Sequence, residues 1–270
     1  MTVETSSVLT MMGALMTLHA LRYLLAASLA WGFFWSWKGN PWTKAKRLQP
    51  VDFTRADVRR ELLTSLRTAA LFGALFGFVY AGLPLVKLRH DGLFALLEFS
   101  AWLLFLMLVH DTYFYWSHRL AHHPRVFGWL HELHHRSRNP SPWAALSFGV
   151  LDAVVQVVWA VPLVRWVPVP SAVWLVFSFV AIGINVIGHC GVEPYPRSWL
   201  RHPVLKWLNF ATMHNQHHLV VRGNYGLYFS AWDRWMGTLL PDAPPGPRAG
   251  VASPQAGWSH HAPPGPRAAP

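Results

Sequence analysis

Charge is scarce in this sequence. Only 13% of its 270 residues are Asp, Glu, Lys or Arg, about half the share usual in a soluble globular chain. Acidic residues are the scarcer kind: 12 stand against 23 Lys and Arg, for a formal net charge of +11. There is one cysteine, Cys190, so no disulfide forms within the chain. Its neighbour His189 raises a metal role for the thiol, but a small buried thiol is the plainer reading. The N-terminus has an acidic residue, Glu4, and no basic stretch before an apolar one, which is not the pattern of a cleavable signal peptide. No module of interleaved aromatic and basic residues is visible, so nucleic acid is not the expected partner.

What is plentiful is apolar surface. Hydrophobic residues make up 53% of the chain, with 16 Trp and 16 Phe to anchor it at a membrane interface. Long apolar runs cover about 8–37, 64–86, 92–110, 143–161 and 171–189. Each is long enough, or nearly so, to cross a bilayer. His19 and Arg22 interrupt the first, where a charge near the bilayer centre costs at least about 2.5–3.5 kcal/mol; snorkelling or contacts with other helices would relieve it. Gly73, Gly77 and Gly82 offer close-packing points in the second run. Between the first two runs, residues 38–67 carry eight Lys and Arg, with Pro41 and Pro50 as breakers and Asp52 or Thr54 as the cap of a helix from about 55. The positive-inside rule puts this segment in the cytoplasm. Pro162, Pro168 and Pro170 mark a turn between the last two runs, which form either a hairpin of spans or a half-inserted one.

The sequence therefore predicts an all-α membrane protein of about four or five spans with a helical histidine-bearing cap on the cytoplasmic side. Residues 1–91 hold the first spans and the basic loop, 92–240 the chemistry, and 241–270 a disordered tail. That tail is rich in Pro, Gly and Ala and repeats Pro-Pro-Gly-Pro-Arg-Ala at 244–249 and 263–268. Its His260 and His261 read as solvated.

The histidines are grouped. His118 and His122 form HxxxH; His131, His134 and His135 form HxxHH; His214, His217 and His218 repeat HxxHH. Residues three and four apart share a helix face, so each box is expected to present its imidazoles in one direction. Following the spans puts both box regions on the same side of the membrane. Eight converging imidazoles exceed the needs of one ion of low coordination number and suit two, each with a position left for oxygen or water. Asp111 lies within about 20° of the face of His118 and His122 on a continuous helix and could orient a ligand ring. Glu132, Glu193 and Asp233 are weaker candidates of the same kind. His110 points away from the box, His123 is out of phase with it, and His202 stands in a loop.

Three readings fit these residues. One is an oxygenase with two metal ions. A second takes His131-Glu132-Leu133-His134-His135 as HExxH, a zinc metalloprotease signature with Glu132 as general base; it leaves five box histidines unexplained. The third is a non-catalytic metal-binding membrane protein, although no box lacks a histidine.

The segment Asp111-Thr-Tyr-Phe-Tyr-Trp-Ser-His118-Arg-Leu-Ala-His122, the following box, residues 189–193, Arg201-His-Pro, the box at 214–218 and the segment Asn224 to Thr238 together resemble the fatty acid hydroxylase/sterol desaturase superfamily. The resemblance covers about 93–240. It implies a membrane enzyme that uses O2 and two electrons to hydroxylate or desaturate a fatty acyl, sterol or related lipid. It implies two Fe ions, with zinc a possible substitute in purified protein. The ligands would be the eight box histidines, with His189 as a ninth. It also implies a separate electron-transfer protein, since no fused haem or flavin domain is visible.

Overall fold

A computed structural model of the protein describes residues 5–36, 40–49, 53–81 and 83–241. Gly82, Pro50, Asp52 and the tail from 242, with His260 and His261, lie outside the described residues. Among the described residues the chain is helical throughout, joined by 3-10 turns and two isolated β-bridges.

The first long helix, α1 (Thr5–Trp31), runs into a π-helical turn at Gly32–Ser36. After α2 (Pro41–Ala45) comes α3 (Arg55–Tyr80), which begins at a capping box: Thr54 accepts from Asp57 N, and Asp57 Oδ2 accepts from Thr54 N. Helices α1 and α3 pack at van der Waals contact of their backbones. A Cβ at Gly73 or Gly77 would overlap the backbone of Met16 or Met12, so these two positions require glycine.

Helix α4 (Gly92–Ala121) is 30 residues long, about 45 Å at the α-helical rise. That exceeds a hydrocarbon core of about 30 Å, with turns to spare; His118 lies in its last turn. Leu93, Phe94, Leu97, Leu104 and Leu108 along it are exposed, as lipid-facing positions are. Short helices α5 (Pro124–Leu130) and α6 (Glu132–His135) follow. The chain then passes through α7 (Val150–Val158) and α8 (Ala160–Trp166) to the last long helix, α9 (Ser171–His189), then α10 (Ala211–Val220) and α11 (Ala231–Trp235).

Four helices, Thr5–Ser36, Arg55–Tyr80, Gly92–Ala121 and Ser171–His189, are long and apolar enough to cross a membrane, and the protein is an integral membrane protein. The apolar run 143–161 is not one of them. Pro142–Ala144 form a 3-10 turn, 145–149 are non-helical, and α7 has nine residues. Buried irregular backbone survives where neighbouring side chains satisfy it. Here Tyr23 Oη and Ser65 Oγ donate to Trp143 O, Asn185 Nδ2 to Ala145 O, and Arg67 Nη2 to Phe148 O. Pro162 stands inside α8, and the turn into α9 is left to Pro168 and Pro170.

The C-terminal ends of α1 and α9 meet. Trp35 Nε1 donates to Cys190 O, joining the end of α1 to the end of α9. The basic segment 40–49 lies against the same end, where Glu193 N donates to Lys46 O and Leu48 N to Gly191 O. At the opposite end Ser171 N donates to Val86 O. The interruptions in α1 are helix contacts rather than snorkelling: Arg22 Nη1 donates to Ser178 O at 2.6 Å and Nη2 to His19 Nδ1 at 2.9 Å, both residues being buried.

Candidate metal centre

Histidines from four elements meet at the shared end. His118 lies in the last turn of α4 and His122 caps it; His131 precedes α6, which carries His134 and His135; α9 ends in His189; α10 carries His214, His217 and His218. His123 does local work instead, its Nδ1 accepting from Arg125 N at the start of α5.

The nine rings form two adjoining clusters. His118, His122, His131, His135 and His217 make one, and His134, His189, His214 and His218 the other; within each, one nitrogen per ring lies within 4.8 Å of all the others. Each cluster could hold a metal ion. The HxxHH boxes are split between them rather than aimed one way, contrary to the expectation from spacing. Adjacent helical residues diverge by about 100°, so His134 and His135 cannot face one ion. The split is reciprocal: His131 and His135 serve the first cluster and His134 the second, whereas His214 and His218 serve the second and His217 the first. The clusters touch, with the rings of His135 and His218 4.7 Å apart and those of His131 and His134 5.0 Å apart.

The proton count shows what the first cluster needs. His118 Nδ1 donates to Tyr225 O at 2.9 Å, His122 Nδ1 to Val221 O at 3.1 Å, His217 Nδ1 to Gly223 O at 2.7 Å, and His131 Nδ1 to Asp152 Oδ2 at 2.7 Å. Carbonyl and carboxylate oxygens only accept, so these four neutral rings carry the proton on Nδ1 and present a bare lone pair at Nε2. His135 Nε2 is 3.1 Å from Nε2 of both His122 and His217, and Nε2 of His118 and of His131 is buried with no hydrogen-bond partner. One proton on His135 cannot satisfy these converging lone pairs; a cation can. Around an ion with bonds of about 2.1 Å, neighbouring ligand atoms sit about 3.0–3.4 Å apart. In the second cluster Nε2 of His189 is 3.1 Å from that of His214, 3.2 Å from that of His218 and 3.3 Å from that of His134. The donor sets of both clusters fit a metal. Burial, reinforced by the neighbouring imidazoles, holds the pKa of His122, His134, His135, His214, His217 and His218 well below the usual histidine value, so these rings are neutral at pH 7, the form that can ligate a metal.

The carboxylates act at different positions from those expected. Asp111 touches no histidine: seven residues of helix, about 10 Å, separate it from His118. Its Oδ1 accepts from the backbone N–H of Leu227, Tyr228 and Phe229. Asp233 accepts from Tyr225 N, Gly226 N and Thr238 Oγ1. Both therefore fix the 221–229 loop whose carbonyls orient His118, His122 and His217. Glu193 secures the start of α10, accepting from Thr212 N and Oγ1. Glu132 has a 45% exposed side chain directed to Arg136, away from the rings of both clusters. It is not placed as the general base of an HExxH site.

The carboxylate that does touch a cluster is Asp152 of α7, which the box analysis passes over. Its Oδ2 takes the His131 proton and its Oδ1 accepts from Gln156 Nε2 at 3.2 Å, with both His131 and Asp152 1% exposed. An acid alone in the apolar run 143–161 was the available signal. The loop carbonyls were likewise invisible to motif reading. They depend on left-handed backbone at Val221, Gly223 and Asn224 (φ 58°, 64° and 51°). For a β-branched Val this conformation is strained.

Three other candidates stand apart from the clusters. His110 Nδ1 meets Tyr228 Oη at 2.8 Å and its ring stacks on Trp159. His202 Nδ1 accepts from Val204 N and Leu205 N. Cys190 keeps a buried thiol bonded to Val192 O, its pKa pushed up to about 12 by burial.

A largely apolar cavity of about 280 Å3 extends between α1, α3, α4, α7 and α9. Leu83, Leu85 and Ser171 line its far end, and Phe114, Phe148 and Asn185 the end near the metal centre. The Phe148 ring lies 4.7 Å from that of His134, and the Phe114 ring 5.0 Å from that of His118.

The chain is similar in sequence to known proteins. The family model described as fatty acid hydroxylase matches residues 103–238, just over half of the chain. A Delta(7)-sterol 5(6)-desaturase of Gibberella zeae is 32% identical over 49% of the chain and 39% of its own length. Human lathosterol oxidase is 28% identical over 69% of the chain and 62% of its own length. A very-long-chain aldehyde decarbonylase of Oryza sativa subsp. indica is 30% identical over 62% of the chain and 27% of its own length. The chain thus spans less than two thirds of each of these relatives. No solved structure gives a significant match. The family match falls on the stretch that holds all nine clustered histidines, and on that ground the chain belongs to the fatty acid hydroxylase family.

Proposed function

We propose that this protein is an O2-dependent lipid hydroxylase or desaturase, an oxidoreductase in which His118, His122, His131, His135 and His217 hold one iron and His134, His189, His214 and His218 a second. The observation that carries this reading is the pair of touching clusters: in the first, four bare Nε2 lone pairs converge with one proton on His135 to share, and in the second, Nε2 of His189 lies 3.1–3.3 Å from those of His134, His214 and His218. The relatives named as sterol desaturase and lathosterol oxidase point to oxidation of an unactivated C–H bond in a lipid. Two irons bound there supply the activation of O2 that such a reaction needs.

The chain's own residues do the rest. Asp152 and the carbonyls of Val221, Gly223 and Tyr225 keep the protons of four rings on Nδ1 and aim their Nε2 atoms inward. Asp111 and Asp233 hold the loop that supplies those carbonyls. The apolar walls of the cavity take a hydrocarbon substrate from the membrane and keep water from it. Electrons come from a separate electron-transfer protein. The basic segment 40–49 lies at the histidine end, and by the positive-inside rule this supports a cytoplasmic metal centre. The HExxH protease has no comparable support, because Glu132 is turned to the surface.

Metal analysis of the detergent-purified protein tests the reading. Two irons per chain are expected. His217→Ala should empty the first cluster and His214→Ala the second, leaving about one iron in each case. Cells expressing the wild type should then accumulate a lipid heavier by one oxygen or lighter by two hydrogens. A single tightly held zinc, or no metal, would overturn the assignment.

A further inference from the structure

Arg22 stands in the middle of the first span with 8% of its surface exposed and lines the cavity, as does His19. Its guanidinium has two partners, both neutral: Ser178 O and His19 Nδ1. Among the described residues no carboxylate pairs with it, and its Nε–H is buried with no acceptor. Because a guanidinium can only donate, His19 Nδ1 accepts, and His19 carries its own proton on Nε2 as a further donor. Three other polar groups along the cavity are committed elsewhere, His110 to Tyr228, Gln156 to Asp152 and Asn185 to Ala145 O; Tyr80 Oη is buried there without a partner, but a phenol brings no charge. Among the described residues, the site where an unpaired positive charge and unanswered donors coincide in these largely apolar walls is therefore that of Arg22 and His19.

We propose that Arg22 and His19 anchor the polar end of the substrate, and that this end is a carboxylate on a long hydrocarbon chain. A pairing of α1 with α9 alone would use Nη1 and Nη2 and leave the charge and Nε–H unanswered. A carboxylate answers both, since it brings the compensating charge and two oxygens to a planar fork of donors. A sterol hydroxyl brings one acceptor and no charge. The position of the anchor sets a distance. Ser178 and His189 are eleven residues apart on α9, about 16 Å along the axis. An extended chain advances roughly 1.2 Å per bond, so the carbon brought to the metal centre lies on the order of ten bonds from the carboxylate. This regiochemistry rests on the oxygenase reading; the anchoring does not.

The test is binding of palmitate, hexadecanol and cholesterol to the full chain in phosphatidylcholine nanodiscs, for the wild type, Arg22→Gln and His19→Ala. The wild type should prefer palmitate. Arg22→Gln should weaken palmitate by about ten- to a hundredfold and leave hexadecanol within about twofold. His19→Ala, which keeps the charge, should weaken palmitate less and serves if Arg22→Gln does not fold. Equal weakening of palmitate and hexadecanol, unchanged palmitate binding, or a wild type that takes hexadecanol or cholesterol as tightly would each overturn the proposal. Metal content is read on the same samples. Arg22-dependent palmitate binding by a protein without iron would uphold the anchor while removing the oxygenase.

Discussion

Asp152→Asn isolates the electrostatic part of the first cluster. Asp152 is 1% exposed and accepts the Nδ1 proton of His131 at 2.7 Å. Asparagine has the same shape, and its Oδ1 can keep that bond. Gln156, which donates to the other carboxylate oxygen, can turn its amide to accept from the new N–H. The substitution therefore removes the negative charge while preserving the geometry. His131 becomes a poorer donor to the ion, and the net charge of the site rises. Loss of such a partner typically costs 10–100-fold in metal affinity, about 1.4–2.7 kcal/mol. The measurement is iron retained per chain after equilibration with a graded chelator series. The wild type should release its two irons at high chelator. The variant should release one iron at 10–100-fold weaker competition and hold the other as before, because Asp152 touches no ring of the second cluster. Parallel loss of both ions, or no shift, would refute the assignment of Asp152 to one site.

Other consequences are equally specific. Glu132→Ala should leave iron content and product formation within about twofold, as expected for an exposed side chain; abolished activity with metal retained would revive the protease. Gly73→Val must push α1 from α3 against the Met16 backbone and should cost about 1–3 kcal/mol or more, seen as a lower melting temperature in detergent. Gly13→Ala, with open space around it, should be neutral or stabilising by up to about 1 kcal/mol. In metal-free protein the six box rings outside the spans have pKa values lowered by burial. The unfolded chain then binds more protons below its ordinary histidine value near 6.5, so stability should fall as pH drops through about 6.5, by up to about 1.4 kcal/mol per pH unit for each such ring. Thermal melts between pH 7.5 and 5.5 that stay flat would contradict burial of these rings.

Much of this protein was legible in its sequence, for reasons that differ by feature. Spans α1, α3, α4 and α9 announce themselves because a bilayer demands continuous apolar helix, and hydropathy measures that directly. The run 143–161 satisfies the same measure and still breaks, because its irregular carbonyls are bonded by Tyr23, Ser65, Arg67 and Asn185 from three other helices. Grouped histidines at helical spacing carried the chemistry, since imidazoles three and four apart on polar turns have little structural use. Their division into clusters of five and four was not legible from spacing taken as one face, and was decided by where α4, α6, α9 and α10 meet. The orienting groups lay further out of reach. Asp152 sits 21 residues from the ring it serves, and Asp111 and Asp233 act on histidines only through the 221–229 loop. Sequence by itself determined which residues could bind metal and which segments could enter a membrane, because both follow from side-chain chemistry and local periodicity. Only the tertiary structure decided which histidines share an ion, which carboxylate holds a ring and where the unpaired charge of Arg22 falls. Those facts depend on contacts between residues far apart in the chain, which local pattern does not encode.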